Sequence, residues 1–355
     1  MSTDCNVVIV GAGGVGVVSS LSMYHAGKCE VSMVVRSDYD TVVEHGYTID
    51  SCDYGALSGW RPHQVYRDVQ EAASSGKFFD YVVITTKNIP DGPRASTMPV
   101  LAQPFLESNE KLDPTRLTSI VLIQNGIDIE KELITTLKPE EHNNYVVLSG
   151  VEIVGSTKVG KAQIKQVGTD NLSIGAFDPS DKRAVESAKR FAVLYDAGDK
   201  NHVEFDERVR YSRWKKLLYN AAINTTTAIV GLDVPRTIEF GHEDNTKNAI
   251  FLPAMHDIVN IAASEGIVIE EKFIEFFVNI SAKRMFTPSM CVDVQKGQLM
   301  ELEVILGNPL KIAKQNGVET PTLTFLYNIL AIIQNKLKEQ NGLLKFDEST
   351  CSITD

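Results

Sequence analysis

At residues 6–16 the run "NVVIV" passes directly into "GAGGVG", and few junctions restrict a fold as tightly. A five-residue β-branched run has the pattern of a strand buried on both faces, as in a parallel sheet. A helical stretch follows to about Gly27, and then a second strand, "EVSMVV". Within G-x-G-x-x-G, Gly11 permits the tight turn, Gly13 lets backbone approach a pyrophosphate, and Gly16 lets the helix pack closely on the strand. The helix start then offers unpaired N–H groups to the anion. Glycine turns alone are common, but strand, loop, helix and second strand in this order predict a dinucleotide-binding βαβ unit. Its cofactor loop comprises Gly11, Gly13, Gly14, Val15 and Gly16.

The end of the second strand selects the dinucleotide. An acid there suits the ribose 2′-OH of NAD, whereas a cation suits the 2′-phosphate of NADP. This chain carries Arg36, which favours NADP(H), with Asp38 close enough to keep the NAD reading open. Two further buried-strand patterns, "YVVITTKN" and "SIVLIQNGID", end in Lys87 and Asn125. Ligands of open α/β sheets gather at such carboxyl ends, although Asn125-Gly126 is also a turn signal. From residue 145, "YVVLSGVEIVG", "KAQIKQVG" and "NLSIGAF" predict an antiparallel extension of the same sheet.

After about residue 207 the strand signals stop and helical spacing takes over. "FLPAMHDIVNIAASEGIVI" and "LTFLYNILAIIQNKL" read as helices, the latter started by Thr320-Pro321. "TPSMCVDVQ" opens like a third, with Thr287 as N-cap, Pro288 at the first helical position and Ser289 in the first turn. In "RWKKLLYNAAINTTTA", Lys216, Asn220 and Asn224 fall at i, i+4 and i+8, a narrow polar stripe among Leu217, Leu218, Ala221 and Ile223. An ordinary solvated face would favour Glu, Lys or Gln over Asn, so the stripe is either a solvated face or a row of donors lining a cleft. Lys215 points about 100° away and reads as a surface lysine without a specific partner. The last residues, "FDESTCSITD", read as a polar tail.

The 355 residues suffice for two cores, placed at 1–207 and 208–355. A net charge of −11 argues against nucleic-acid binding, which needs a basic surface. Five dispersed cysteines without paired spacing predict a reducing compartment and neither disulfides nor a metal site. The N-terminus lacks a basic leader and no apolar run reaches the ~18 residues of a membrane span, so a cytoplasmic protein is expected.

In order along the chain, "GAGGVG", Arg36, "TTKN", "QNGI", "RWKKLLYNAAINTTTA", "PSMCVDVQKGQLMELEVILG" and "GVETPTL" resemble the ketopantoate reductases (2-dehydropantoate 2-reductases). The resemblance implies a Rossmann-type α/β domain followed by an all-α domain with 6-phosphogluconate dehydrogenase-like helices. It further implies NADPH-dependent reduction of a small 2-oxo acid, ketopantoate to pantoate in pantothenate biosynthesis, by a monomer or homodimer. Carried over by residue, Lys216 resembles the general acid, with Glu301 the cleft glutamate counted beside it as catalytic. Asn220, Asn224 and Ser289 resemble substrate contacts, and Lys87 and Asn125 the pair framing the nicotinamide. Phe286 stands where bacterial enzymes tend to have Asn, Pro288 replaces a small hydroxyl residue, and "GLDVPRT" lacks a further Asn. A different ketone or 2-oxo acid substrate, and a non-catalytic NADP sensor, remain the rival readings.

Overall fold

Short β-branched runs with no polar alternation can be buried only when both faces of a sheet are covered, and the first half of the chain supplies them repeatedly. The computed structural model describes residues 5–138 and 144–354. The first four residues and the last residue of the expected tail lie outside that range. In chain order the strands are β1 (Asn6–Val10), β2 (Glu30–Val34), β3 (Tyr47–Ser51), β4 (Gly55–Trp60), β5 (Gln64–Tyr66) and β6 (Tyr81–Ile84). They continue with β7 (Thr118–Ile123), β8 (Tyr145–Gly160), β9 (Gln163–Ala176), β10 (His202–Phe205), β11 (Lys345–Asp347) and β12 (Ser352–Thr354).

The first ten form one sheet in the order β4-β3-β9-β8-β7-β6-β1-β2-β5, with β10 also on β9. From β8 through β7, β6, β1, β2 and β5 every pairing is parallel. The expected antiparallel extension is the β8–β9 hairpin, although β8 itself joins β7 in parallel. Beyond it β9 runs parallel to both β3 and β10. Every residue of β6 and β7 is buried, and Val7, Ile9, Val31, Met33, Val83 and Val121 share one core with the helices Gly14–Ala26 and Lys182–Tyr195. That core holds a carboxyl group. Asp170 is fully buried, and its Oδ2 accepts from Ser22 Oγ at 2.7 Å and Tyr195 OH at 2.9 Å.

The chain divides into two compact units. The first takes the described residues to Lys87, Ala95–Gln124 and Ile129–Val209; the second takes Asn88–Arg94, Asn125–Asp128 and everything from Arg210 on. The second unit is helical around Trp214, Leu217, Ile223, Met255, Ile258 and Leu326. Helices Leu252–Ser264 and Pro321–Gln340 match the periodic segments. Two expectations fail here. Strands do recur after residue 207, because the supposed polar tail forms the antiparallel hairpin β11–β12, with Phe346 opposite Ile353. The "TPSM" helix begins one residue late, at Ser289, with Pro288 extended (φ −63°, ψ 156°) in the cap position. Among the described residues no helix is long and apolar enough to cross a membrane.

Candidate active site

In the first unit, the glycine loop has the shape its spacing requires. Gly11 has φ +129°, where an L residue is strained, and a Cβ on Gly16 would lie 2.0 Å from the Gly11 carbonyl oxygen. Gly14 is crowded as well, since a Cβ there would meet the Ser156 carbonyl oxygen at 2.5 Å. Gly13 differs, because the space its Cβ would enter is open. It also caps the helix Gly14–Ala26 without a side-chain bond to the free N–H groups. The loop thus offers open space at Gly13 beside a helix start that no side chain caps, which fits a pyrophosphate. Val15 is half-buried against the core, and Lys87, three residues past β6, is half-buried.

At the end of β2 the two competing residues part company. Arg36 is exposed, and it makes no hydrogen bond or ion pair with the described residues. Asp38 is only 2 % exposed. Its Oδ2 accepts from Lys158 Nζ at 2.6 Å and from Ala162 N at 2.9 Å, and its Oδ1 from Ser37 Oγ at 3.1 Å. Burial alone would raise its pKa, but the Lys158 ammonium and these hydrogen bonds outweigh burial and hold the carboxyl below its usual value. Asp38 is therefore a spent, inward-facing carboxylate, and the cation is the group left at the strand end.

In the second unit, the stripe lies on a helix whose middle is not α-helical. An α segment, Val209–Tyr219, gives way to a π segment at Asn220–Asn224 and resumes over Thr225–Val230. π turns are rare, and they recur at functional sites. Wider turns free backbone carbonyls, and the threonine run answers them. Thr225 Oγ1 donates to the Ala221 oxygen at 2.7 Å, Thr226 Oγ1 to Ala222 at 2.7 Å, and Thr227 Oγ1 to Asn224 at 3.0 Å. Asn220 and Asn224 are both buried, and Asn224 Nδ2 donates to Asn220 Oδ1 at 3.0 Å. That bond fixes the Asn224 amide so that its Oδ1, also buried, has no hydrogen-bond partner among the described residues. Lys216 is half-buried, one turn before Asn220. Lys215 is not the partnerless surface lysine expected, for its ammonium sits 5.0 Å from the Phe273 ring centroid and 5.6 Å from that of Tyr211.

Glu301 is 5 % exposed, and both its oxygens are engaged. Oε2 accepts from Asn125 Nδ2 at 2.9 Å and Oε1 from the Asn88 N–H at 3.1 Å. Asn125 thus belongs with Glu301 in the second unit. Its neighbour Gly126 (φ +96°) passes so near Val304 that a Cβ would come within 2.5 Å of the Val304 oxygen, so the Asn-Gly turn is also a close approach. Ser289 is exposed at the first position of its seven-residue helix and is not joined to the Asn pair by any hydrogen bond. Phe286 is half-buried and Pro288 buried. The sequence reading missed Lys158, the Asn88 N–H and the three threonines. Only the threonines left a signal, being three successive poor helix formers inside a helix.

A family model described as "Ketopantoate reductase PanE/ApbA" matches residues 7–179, and its C-terminal counterpart matches residues 208–334. The chain is 58% identical over 353 residues to "Uncharacterized protein YDL144C" of Saccharomyces cerevisiae, covering 98% of this chain and 99% of that one. It is 24% identical over 343 residues to a 2-dehydropantoate 2-reductase of Nostoc sp., covering 96% and 98%. Among solved structures, 2-dehydropantoate 2-reductase from Methylococcus capsulatus shares 27% identity, with a TM-score of 0.75 over 94% of this chain and 97% of that one. The fold is also that of a D-mandelate dehydrogenase solved with NADH and anilino(oxo)acetate, at 20% identity and a TM-score of 0.76 over 94% and 99%.

Proposed function

Because the chain belongs to the ketopantoate reductase family, we propose that it is an NADPH-dependent reductase of a 2-oxo acid, with ketopantoate as first candidate. The observation that carries this reading is the buried Asn220–Asn224 pair, in which Asn224 Oδ1 is buried without a hydrogen-bond partner among the described residues, an acceptor in want of a donor. A buried acceptor left alone costs about 1–3 kcal/mol, so its retention fits a ligand that brings a hydroxyl. Ketopantoate carries such a hydroxyl, and its unhydroxylated analogue 3,3-dimethyl-2-oxobutanoate does not.

The glycine loop would hold the pyrophosphate, and Arg36 the 2′-phosphate. Lys87 stands beyond a neighbouring strand end, where family resemblance gives it a place beside the nicotinamide. When bound, the nicotinamide supplies the hydride. Negative charge then develops on the substrate's carbonyl oxygen, and the Lys216 ammonium both stabilises that charge and donates the proton. Asn220 and Asn224 orient oxygen atoms without adding charge. Glu301 is assigned the role of fixing the Asn125 amide and the Asn88 backbone, in place of holding the lysine or a substrate hydroxyl. Ser289 is assigned to the substrate carboxylate.

NADPH oxidation followed by absorbance with ketopantoate, 3,3-dimethyl-2-oxobutanoate and an aryl 2-oxo acid tests the reading. Turnover of ketopantoate with kcat/KM at least ~10-fold above 3,3-dimethyl-2-oxobutanoate is expected, the scale of one buried hydrogen bond. With Phe286 and Pro288 where bacterial relatives carry polar residues, bulkier acids should fall within about 10³ of ketopantoate. No oxidation with any 2-oxo acid would leave a non-catalytic NADP-binding protein.

A further inference from the structure

The β8–β9 hairpin reaches past the sheet's central strands to the β2 turn, and its tip delivers two donors to a single carboxylate. Lys158 lies near the end of β8, and Ala162, in the turn, is held at φ +49° although it is not glycine. The Ala162 N–H bonds Asp38 Oδ2, and its carbonyl accepts from Thr48 N at 2.9 Å, so β3 pins the turn from the other side. The Lys158 ammonium reaches Asp38 Oδ2 at 2.6 Å and Ser37 Oγ at 3.4 Å. Residues 36, 37 and 38 form the segment that meets the adenosine ribose in a βαβ dinucleotide unit. Turned outward, an Asp38 carboxylate would serve a 2′-OH, repel a 2′-phosphate and cancel the charge of Arg36.

We propose that Lys158 is a positioning residue for cofactor choice: by drawing Asp38 inward it leaves Arg36 to set the charge where the adenosine ribose binds. This rests on the NADPH reading above and adds a determinant 120 residues along the chain from Asp38. Lys158 itself need not touch the dinucleotide. Its side chain is one-third exposed while that of its partner is 2 % exposed, so the ion pair's inner member is the one controlled. Removing the ammonium leaves a buried carboxylate short of its countercharge, and such a group gains by turning toward water.

The test is fluorescence titration of NADPH and NADH against the unmodified protein, Lys158→Met, Lys158→Arg and the double variant Lys158→Met/Asp38→Asn, with thermal melts to establish folding. The expected result for Lys158→Met is a fall of at least ~10-fold in the NADPH/NADH preference, about 1.4 kcal/mol. Part of that fall should be tighter NADH binding, a gain that structural damage would not produce. Lys158→Arg should keep the preference, and the double variant should recover it. An unchanged preference in Lys158→Met overturns the proposal. So does weaker NADPH binding with unchanged NADH and no recovery in the double variant, which would make Lys158 a direct phosphate ligand. Failure of either kind leaves the Arg36 reading standing. Equal constants for the two cofactors in the unmodified protein would overturn both. Should Lys158→Met not fold, Asp38→Asn alone decides: a preference equal to or above that of the unmodified protein is expected, and a loss overturns the proposal.

Discussion

Lys215 and Lys216 are adjacent, identical in type and both half-buried, so their contrast isolates what a lysine's direction does. Lys216→Ala is expected to lower kcat by on the order of 10²–10⁴ and to leave the NADPH dissociation constant nearly unchanged. Lys215→Ala should spare kcat. It should instead lower stability by about 0.5–1 kcal/mol, because its ammonium faces the rings of Phe273 and Tyr211. Steady-state kinetics and urea unfolding of the two variants check the pair, and near-normal kcat for Lys216→Ala would reduce the stripe to a polar helix face. Arg36→Ala should remove most of a preference for NADPH of at least ~10-fold, read by titration with both cofactors. The sequence favours Arg36 at this position and leaves Asp38 as the alternative. What turns Asp38 inward, Lys158 and Ala162, comes from a hairpin 120 residues away that local reading does not reach.

Elements whose cause is local were legible. β1, its glycine loop and the helix to Ala26 follow from residues within one another's reach, and so do the helix that starts at Pro321 and the one that stops before Gly266. Elements whose cause is tertiary were not. β3, β4 and β5 are short and partly exposed, and strand β3 owes its place to pairing with β9. The π segment at Asn220–Asn224 preserves the apolar pattern of an α-helix, so periodicity passes over it. Thr225 is the residue through which it can be probed, since its hydroxyl donates to both the Ala221 and Ala222 oxygens. Thr225→Val keeps the shape and removes the donor. It should reduce stability by about 1–2 kcal/mol and raise KM for the 2-oxo acid while leaving NADPH binding alone. An unaltered KM beside lowered stability would mean that the π turn serves the fold only.

For the molecule as a whole, stability should carry the mark of Asp170. Burial pushes this carboxyl up to about 6, against the pull of Ser22 and Tyr195 and with a contribution from Asp53. The folded protein therefore binds a proton that the unfolded chain releases near 3.8, and stability falls as pH rises from about 3.8 to about 6. Asp170→Asn removes that dependence. Relative to the unmodified protein, the variant should gain about 2 kcal/mol between pH 4.5 and pH 7.5 in urea unfolding. A gap that does not change with pH would return Asp170 to ordinary titration. The same scale shows the limit of dividing this chain by sequence position. Asn88–Arg94 and Asn125–Asp128 lie well inside the α/β half, yet they belong to the helical unit. There Asp91 bonds Lys338 and Gln334, Asn125 bonds Glu301, and Asp128 bonds Arg210. A gene cut once after residue 207 would thus yield a helical product without Asn88, Asp91, Asn125 and Asp128, with Glu301 buried and both its oxygens deserted. The two halves cannot be shuffled as cassettes; any lineage that exchanges one must carry over two loops of the other.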